Sequence, residues 1–487
     1  MFILTIVSGV AMEESSTKTW WILGVAIAAA ALLRFLAAAN NLWFDEIISV
    51  EMASQMSGPE GVFTEFLYDN NHYFNTLWVW WLGKHNSELL YRLPAVIAGV
   101  MTVPAVWWAL RPWGTFSQQI AAILVAFSHV HIHYSSEARG YAMQILFAVI
   151  AFGWLERYHR EERTRDALLF GAFASLSILS HLLSVNFFLG CLFWTVSFQG
   201  RRGIGFLEQL KRLTLCHALP VITGASLYLV HVRNLQFGGG PKLNTLEVAA
   251  SAWSLLFGIA QPGTGRIVVG VLALGFVIAA ILICRKRELS MTKGFSDQWR
   301  FFAVFLILIP LIRILVPSSL LYVRYFLLQL TFGIMLLSIA ASVLIATTPE
   351  AKRLIRVAVA VIITANLVQN AQLIDYGRGD YHNVVQRISD QADGNEVTIG
   401  STNNVLNTPV LEYFSDHPDF GDCRLQIVEP DELPQWLIVH RTMDCSARPE
   451  RMLRVYEIDE TRYKLDHVSR AAYLSGFEWR CYQRVDD

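Results

Sequence analysis

The sequence predicts a polytopic α-helical membrane protein with a small C-terminal α/β domain, and three observations lead there. Of 487 residues, 54% are hydrophobic and only 16% charged, whereas soluble domains carry roughly a quarter charged residues. Apolar stretches recur through residues 20–374, near the ~20 residues that span a bilayer as a helix. From Tyr376 onward the composition turns polar and mixed.

The spans fall near 20–39, 89–110, 117–134, 140–156, 167–181, 184–198, 213–232, 265–284, 301–316, 325–346 and 356–374, about eleven crossings in all. Ahead of them, Met1 to Met12 is apolar without a basic n-region, so no cleaved signal peptide is read; Met1 and Met12 are both candidate starts. Trp20, Trp21, Trp43, Trp107 and Trp108 sit near span ends, as interfacial belts require.

Orientation follows from basic loops, since cytoplasmic loops carry the excess of Lys and Arg. Arg157, Arg160, Arg163 and Arg165 follow span four, and Arg201, Arg202, Lys211 and Arg212 follow span six. Arg285, Lys286, Arg287 and Lys293 follow span eight, and Lys352, Arg353 and Arg356 follow span ten. The alternation puts all of them on one face, read as cytoplasmic together with the N-terminus. The other, exoplasmic face receives the acid-rich loop 40–88, the turn at Glu137–Gly140, the Gly-rich loop 233–247 and everything after Asp375. Residues 1–375 thus form a transmembrane domain and residues 376–487 an exoplasmic or periplasmic α/β domain. Within the latter, Val397–Ile399, Leu425–Val428 and Trp436–Val439 read as strands, with helices at 382–392 and 409–416.

A net charge of −1 and the lack of a basic block interleaved with aromatics argue against a nucleic-acid partner. Six cysteines are too few for a disulfide scaffold. Cys191, Cys216 and Cys284 read as small core residues, while Cys423, Cys445 and Cys481 leave room for one disulfide in an oxidising compartment. No spacing resembles a zinc site, and no cofactor is expected.

Four clusters converge on the exoplasmic face: Asp45-Glu46; Asp69-Asn70-Asn71-His72-Tyr73; Tyr134 to Tyr141, with Glu137 and Arg139; and Tyr322-Val323-Arg324-Tyr325. An acid pair beyond the first span stays ionised at the boundary, whereas mid-membrane each charge costs on the order of 2.5–3.5 kcal/mol. Arginine's planar fork pairs phosphate oxygens, and a carboxylate takes a proton from an attacking hydroxyl. Acids with separated arginines at one membrane surface therefore suit a reaction on a phosphate-bearing lipid.

Loop one, followed by "SELLYRLPAVIAG" (87–99) and "EARGYAMQILF" (137–147), resembles the family 39 glycosyltransferases of the GT-C class. These are relatives of the protein O-mannosyltransferases and of the lipid A aminoarabinose transferase. The opening of the tail, "YGRGDYHNVVQRI" (376–388), is similar to the start of the exoplasmic domain of bacterial members. The resemblance implies a cell-envelope enzyme that moves a hexose or pentose from a polyprenyl-phosphate sugar to a lipid, protein or glycan acceptor. It implies Asp45 as catalytic base with Glu46 beside it. Asp69, His72, Arg139, Tyr141 and Arg324 are the candidate substrate-binding residues, with Arg139 and Arg324 on the phosphate. The family's second loop-one motif commonly reads His-Pro; here it is His72-Tyr73, without proline's fixed φ.

Bland readings stand beside these. Arg92 reads as a structural helix-start arginine facing headgroups. His129 and His133 share a face but read as interfacial packing before metal ligands. His181 reads as an interfacial polar residue, Arg313 as snorkelling to headgroups, and Gly238–Pro241 as a flexible lid rather than a phosphate loop. A transporter or flippase of lipid-linked sugars is the rival function; it predicts internal repeats and broken helices with mid-membrane ionisable groups. A non-catalytic scaffold on a dead enzyme core is the second rival.

Overall fold

The computed structural model describes residues 17–84, 87–236, 238, 243–260, 263–289, 296–315, 321–392, 394–416, 423–444 and 451–485. Met1, Met12, Gly239 to Pro241, Lys293 and Cys445 lie outside the described residues.

Each predicted span is helical. Among the described residues, seven helices are long and apolar enough to cross a membrane: Thr19–Ala38, Glu88–Ala109, Phe206–Asn234, Gly265–Glu288, Gln298–Leu315, Val323–Thr347 and Ala351–Asp390. The protein is therefore an integral membrane protein. Spans three to six differ: Thr164–Ser180 has 17 residues, and Tyr141–Glu161 carries Gln144, Glu156 and His159 as buried residues. Glu156 pairs with Arg160 at 2.8 Å, while Leu168, Leu189 and Phe193 of spans five and six face outward. An apolar helix at Thr245–Ser254, which begins at the end of the stretch 233–247 read as loop, packs on Thr264–Leu289. Gly270 permits that approach, since a Cβ there would lie 2.0 Å from the Ala250 carbonyl oxygen.

Span three breaks at Ser128 into Thr115–Phe127 and His129–Ser135. A break inside a bundle frees backbone groups that need partners. Asn366 Oδ1 accepts from the His129 N–H at 2.6 Å, and Asn370 donates to the Phe127 carbonyl at 2.9 Å. The fully buried Arg34 donates to the carbonyls of Val125 and Ala126 at 3.2 and 3.3 Å. A positive charge also suits the carbonyl end of a helix. In span nine, Pro310 withholds an N–H, and a π-helical turn at Val304–Leu308 precedes it. Phe152, Phe187, Phe301 and Phe332 pack ring on ring at 5.0–5.9 Å in the centre of the bundle.

Beyond the last span lies a six-stranded sheet of order β2-β1-β3-β6-β5-β4, with β1 Glu396–Ser401, β2 Arg424–Val428, β3 Trp436–Thr442, β4 Val455–Ile458, β5 Thr461–Ser469 and β6 Phe477–Val485. The first three strands pair in parallel and the rest antiparallel. Helices Tyr381–Asp390 and Asn404–Ser415 bury Tyr381, Val384, Leu411 and Phe414 in the core shared with Trp436 and Trp479. Cys423 and Cys481 are free thiols. The Asn404–Ser415 helix also packs on the Phe44–Ser54 helix of loop one, so sheet and loop meet at one end of the bundle.

Candidate active site

Loop one begins with a helix, Phe44–Ser54, whose first turn holds both acids. Glu46 Oε2 reaches back to accept from the Trp43 N–H at 3.2 Å, satisfying one free N-terminal donor. That turns Glu46 inward and leaves Asp45 on the other side. Asn70 donates to the Asp45 carbonyl at 2.8 Å and to Ser49 Oγ at 2.9 Å, which ties the middle of loop one to the same turn.

The third and fourth spans meet in a tight turn, Ser136 to Gly140. A Cβ on Gly140 would lie 2.0 Å from the Ser180 carbonyl oxygen and 3.1 Å from His72 Cβ. Only glycine lets the turn press this closely on the end of the Thr164–Ser180 helix. Arg139 projects from that turn, buried to 4% side-chain exposure. Its Nη1 bonds Asp45 Oδ2, its Nε donates to His72 Nε2 at 3.1 Å, and its guanidinium lies 5.2 Å from the Tyr141 ring centre. Arg324 arrives from the start of span ten, stacks on Tyr322 at 4.6 Å, and places Nη1 3.2 Å from the same Asp45 oxygen.

Two guanidiniums thus meet one carboxylate. Asp45 is 16% exposed and Arg324 22%, so both reach solvent in part. Among the described residues, Asp45 Oδ1 accepts no hydrogen bond and Arg324 Nε has no acceptor. Burial first, and then the charge of Arg139, holds His72 well below the ordinary histidine range. The neutral ring accepts from Arg139 and sits among Tyr141 and His181 at 5.2 and 4.9 Å. His181 is therefore part of this wall rather than a free interfacial group.

Other expected residues are placed elsewhere. Glu46, expected beside Asp45 as a second catalytic acid, is fully buried. It takes both forks of Arg92 at 2.8 and 2.6 Å and the Ala138 N–H at 2.6 Å. Arg92 does not face headgroups: it is fully buried and also donates to the Ala38 carbonyl at 2.9 Å, the Asn41 carbonyl at 2.9 Å and the Asn40 carbonyl. Asp69 is exposed and accepts from the Gly238 N–H at 3.1 Å, tying loop one to the Gly-rich segment rather than pointing at the partners of the Asp45 carboxylate. Arg313 lies over the Tyr325 ring at 5.4 Å. His129, His131 and His133 have separate partners in Asn370, Thr331 and Ser475. Among the described residues, no three His, Cys, Asp or Glu converge as metal ligands.

Sequence reading did not single out Arg378, which enters the back of the Arg139 turn and meets Glu137 at 3.1 Å. Its signal was an arginine set between two glycines in "YGRGDY", outside any regular periodicity. Burial raises the Glu137 pKa, but Arg378 and His133 outweigh it and bring the carboxyl below its usual range.

The fold is of the GT-C class of membrane proteins, with a bundle of helices, a structured first loop and a C-terminal sheet domain. It is similar to ArnT from Cupriavidus metallidurans bound to undecaprenyl phosphate, with a TM-score of 0.51 and 14% identity over 88% of this chain and 94% of that one. Weaker likenesses join it to the archaeal oligosaccharyltransferase AglB from Archaeoglobus fulgidus, at TM-score 0.46, 11% identity, 87% of this chain and 69% of that one. Arabinosyltransferase EmbB from Mycobacterium smegmatis follows at TM-score 0.42, 13% identity, 70% of this chain and 32% of that one. No protein-family model matches the chain, and no curated protein matches it significantly.

Proposed function

We propose that this protein is a membrane glycosyltransferase that moves a sugar from a polyprenyl-phosphate donor to an acceptor hydroxyl on the exoplasmic face. The observation that carries the reading is the Asp45 locus, with two arginines on Oδ2 and, among the described residues, no donor on Oδ1. Glu46 and Glu137 are each matched by their own arginine, so the uncompensated positive charge lies at Arg139 and Arg324. A phosphate diester suits that excess. The fold likeness to a protein solved with undecaprenyl phosphate supports the same ligand class.

Donor phosphate binds between the two guanidiniums and releases Asp45. The acceptor hydroxyl approaches Asp45, which takes its proton as the oxygen bonds to the sugar C1. The C1–phosphate oxygen bond breaks, and the arginines hold the charge that gathers on the leaving phosphate. A single displacement inverts C1. Glu46 acts here through position, and Asp45 alone carries the proton. The transporter reading draws on the broken third span, but Arg34, Asn366 and Asn370 already occupy its freed backbone groups.

The test is sugar transfer in proteoliposomes from a labelled polyprenyl-phosphate sugar. Wild type should release free polyprenyl phosphate in step with glycosylated acceptor, and Asp45→Asn should bind donor without turning it over. Transport of intact donor without cleavage would establish the rival.

A further inference from the structure

The turn that carries Arg139 is gripped from two sides. On one side Glu46, fixed by Arg92, accepts from the Ala138 N–H at 2.6 Å. On the other side stands Arg378, fully buried, from the connector between the last span and the sheet. Its Nε donates to Glu137 Oε1 at 3.1 Å, while Nη2 donates to the His133 carbonyl at 2.7 Å and to Ser136 Oγ at 3.0 Å. One guanidinium thus ties three residues of the turn and of the helix that feeds it. Ser475, just ahead of β6, donates to the same Glu137 oxygen at 2.7 Å.

Arg378 is itself held firmly. Its carbonyl accepts from the Phe477 N–H at 3.0 Å and from the Tyr381 hydroxyl at 2.5 Å. Gly476, at φ +97°, passes so near that a Cβ would lie 2.0 Å from that carbonyl oxygen. The Arg139 N–H closes the turn onto the Glu137 carbonyl at 2.8 Å. Whatever fixes Glu137 therefore fixes the backbone from which the Arg139 side chain leaves.

We propose that Arg378 and Ser475 are positioning residues of the active centre, through which the C-terminal sheet region holds Glu137 and so aims Arg139 at the donor phosphate. The proposal rests on the reading of Arg139 as a phosphate ligand. It makes the sheet region part of the catalytic assembly rather than an appended module.

The experiment uses the full chain in detergent, with polyprenyl phosphate alone as binding probe and thermal unfolding followed in parallel. Arg378→Gln strands a buried carboxylate, so the turn shifts. Lipid affinity should fall by up to about tenfold, the loss expected when the Arg139 fork itself no longer meets the phosphate. Adding Glu137→Gln removes the stranded charge, and removing both partners of a buried pair disturbs less than removing one. The double variant should therefore bind the lipid better than Arg378→Gln. Ser475→Ala keeps the ion pair and should weaken binding by a smaller factor with unfolding unchanged; it carries the test if Arg378→Gln does not fold. Lipid affinity equal to wild type in folded Arg378→Gln, or in Ser475→Ala where Arg378→Gln fails to fold, overturns the proposal. Arg139→Lys, run alongside, separates the two failures. If it binds the lipid normally, the phosphate reading falls; if it alone weakens binding, only the positioning role falls.

Discussion

Asp45 and Glu46 are neighbours in the chain, and they end in opposite surroundings. Glu46 is fully buried, with a bidentate arginine and two backbone N–H groups on its oxygens. Asp45 is partly open, shares one oxygen between two arginines and leaves the other bare. The first is saturated, so nothing further can bind; the second is unsaturated and positively overbalanced, so a ligand has something to gain. Saturation, more than the presence of an acid, separates architecture from chemistry here.

The largest expected effect breaks this contrast at Asp45. Asp45→Asn should lower transfer by about 10²–10⁴-fold, the usual contribution of a positioned base, with unfolding temperature and lipid binding near wild type. Glu46→Gln should do the reverse. Breaking a buried pair leaves Arg92 uncompensated and costs about 3–5 kcal/mol, so thermal unfolding should drop sharply, while turnover of the folded fraction falls less than in Asp45→Asn. If both variants lose turnover equally at unchanged stability, the contrast is wrong and the acids share the proton chemistry.

Next come the arginines. Arg139→Lys and Arg324→Lys keep the charge and lose the fork, so each should weaken polyprenyl-phosphate binding about tenfold, corresponding to ~1.4 kcal/mol. Titrating labelled lipid into each variant decides it. Normal affinity in both would move the phosphate elsewhere.

A smaller effect follows pH. His72 lies well below the ordinary range in the folded protein, whereas an unfolded histidine titrates near ~6.5. The folded state then binds fewer protons, so its contribution is complete above ~6.5 and is lost as pH falls toward the folded value. Unfolding temperature should fall on going from neutral toward acid pH, and His72→Gln should flatten part of that slope. An unchanged slope would show that His72 is not the titrating group.

Orientation brings the smallest signal. In a background with Cys423 and Cys445 replaced by serine, Thr64→Cys should react with an impermeant thiol reagent from outside and Gly205→Cys should not. The reverse pattern would place the Asp45 locus on the cytoplasmic face.

Much of this architecture was legible because hydropathy is local. Every span appeared as a run, and β1, β2 and β3 announced themselves through short β-branched or apolar stretches. β4, β5 and β6 did not, because charged residues such as Arg462, Lys464, Glu478 and Arg480 alternate with Tyr463, Leu465, Phe477 and Trp479 and leave no continuous apolar run. The fate of Glu46 was illegible for another reason: its partners, Arg92 and Ala138, stand 46 and 92 residues away. Arg34 hid as one charge in an apolar run, and the break at Ser128 carries no Gly or Pro. Its cause is the pair Asn366 and Asn370, contributed by the last span.

Chain order gives the Arg378 contact a temporal meaning. Glu137 is made 241 residues before Arg378 and 338 before Ser475. At ~5–20 residues per second, the helical bundle waits on the order of tens of seconds with that carboxylate met only by His133. The Arg139 turn acquires its final grip only after Ser475 has been made. The contacts of Glu137 with Arg378 and Ser475 are thus among the last to form, after every span of the bundle has been made.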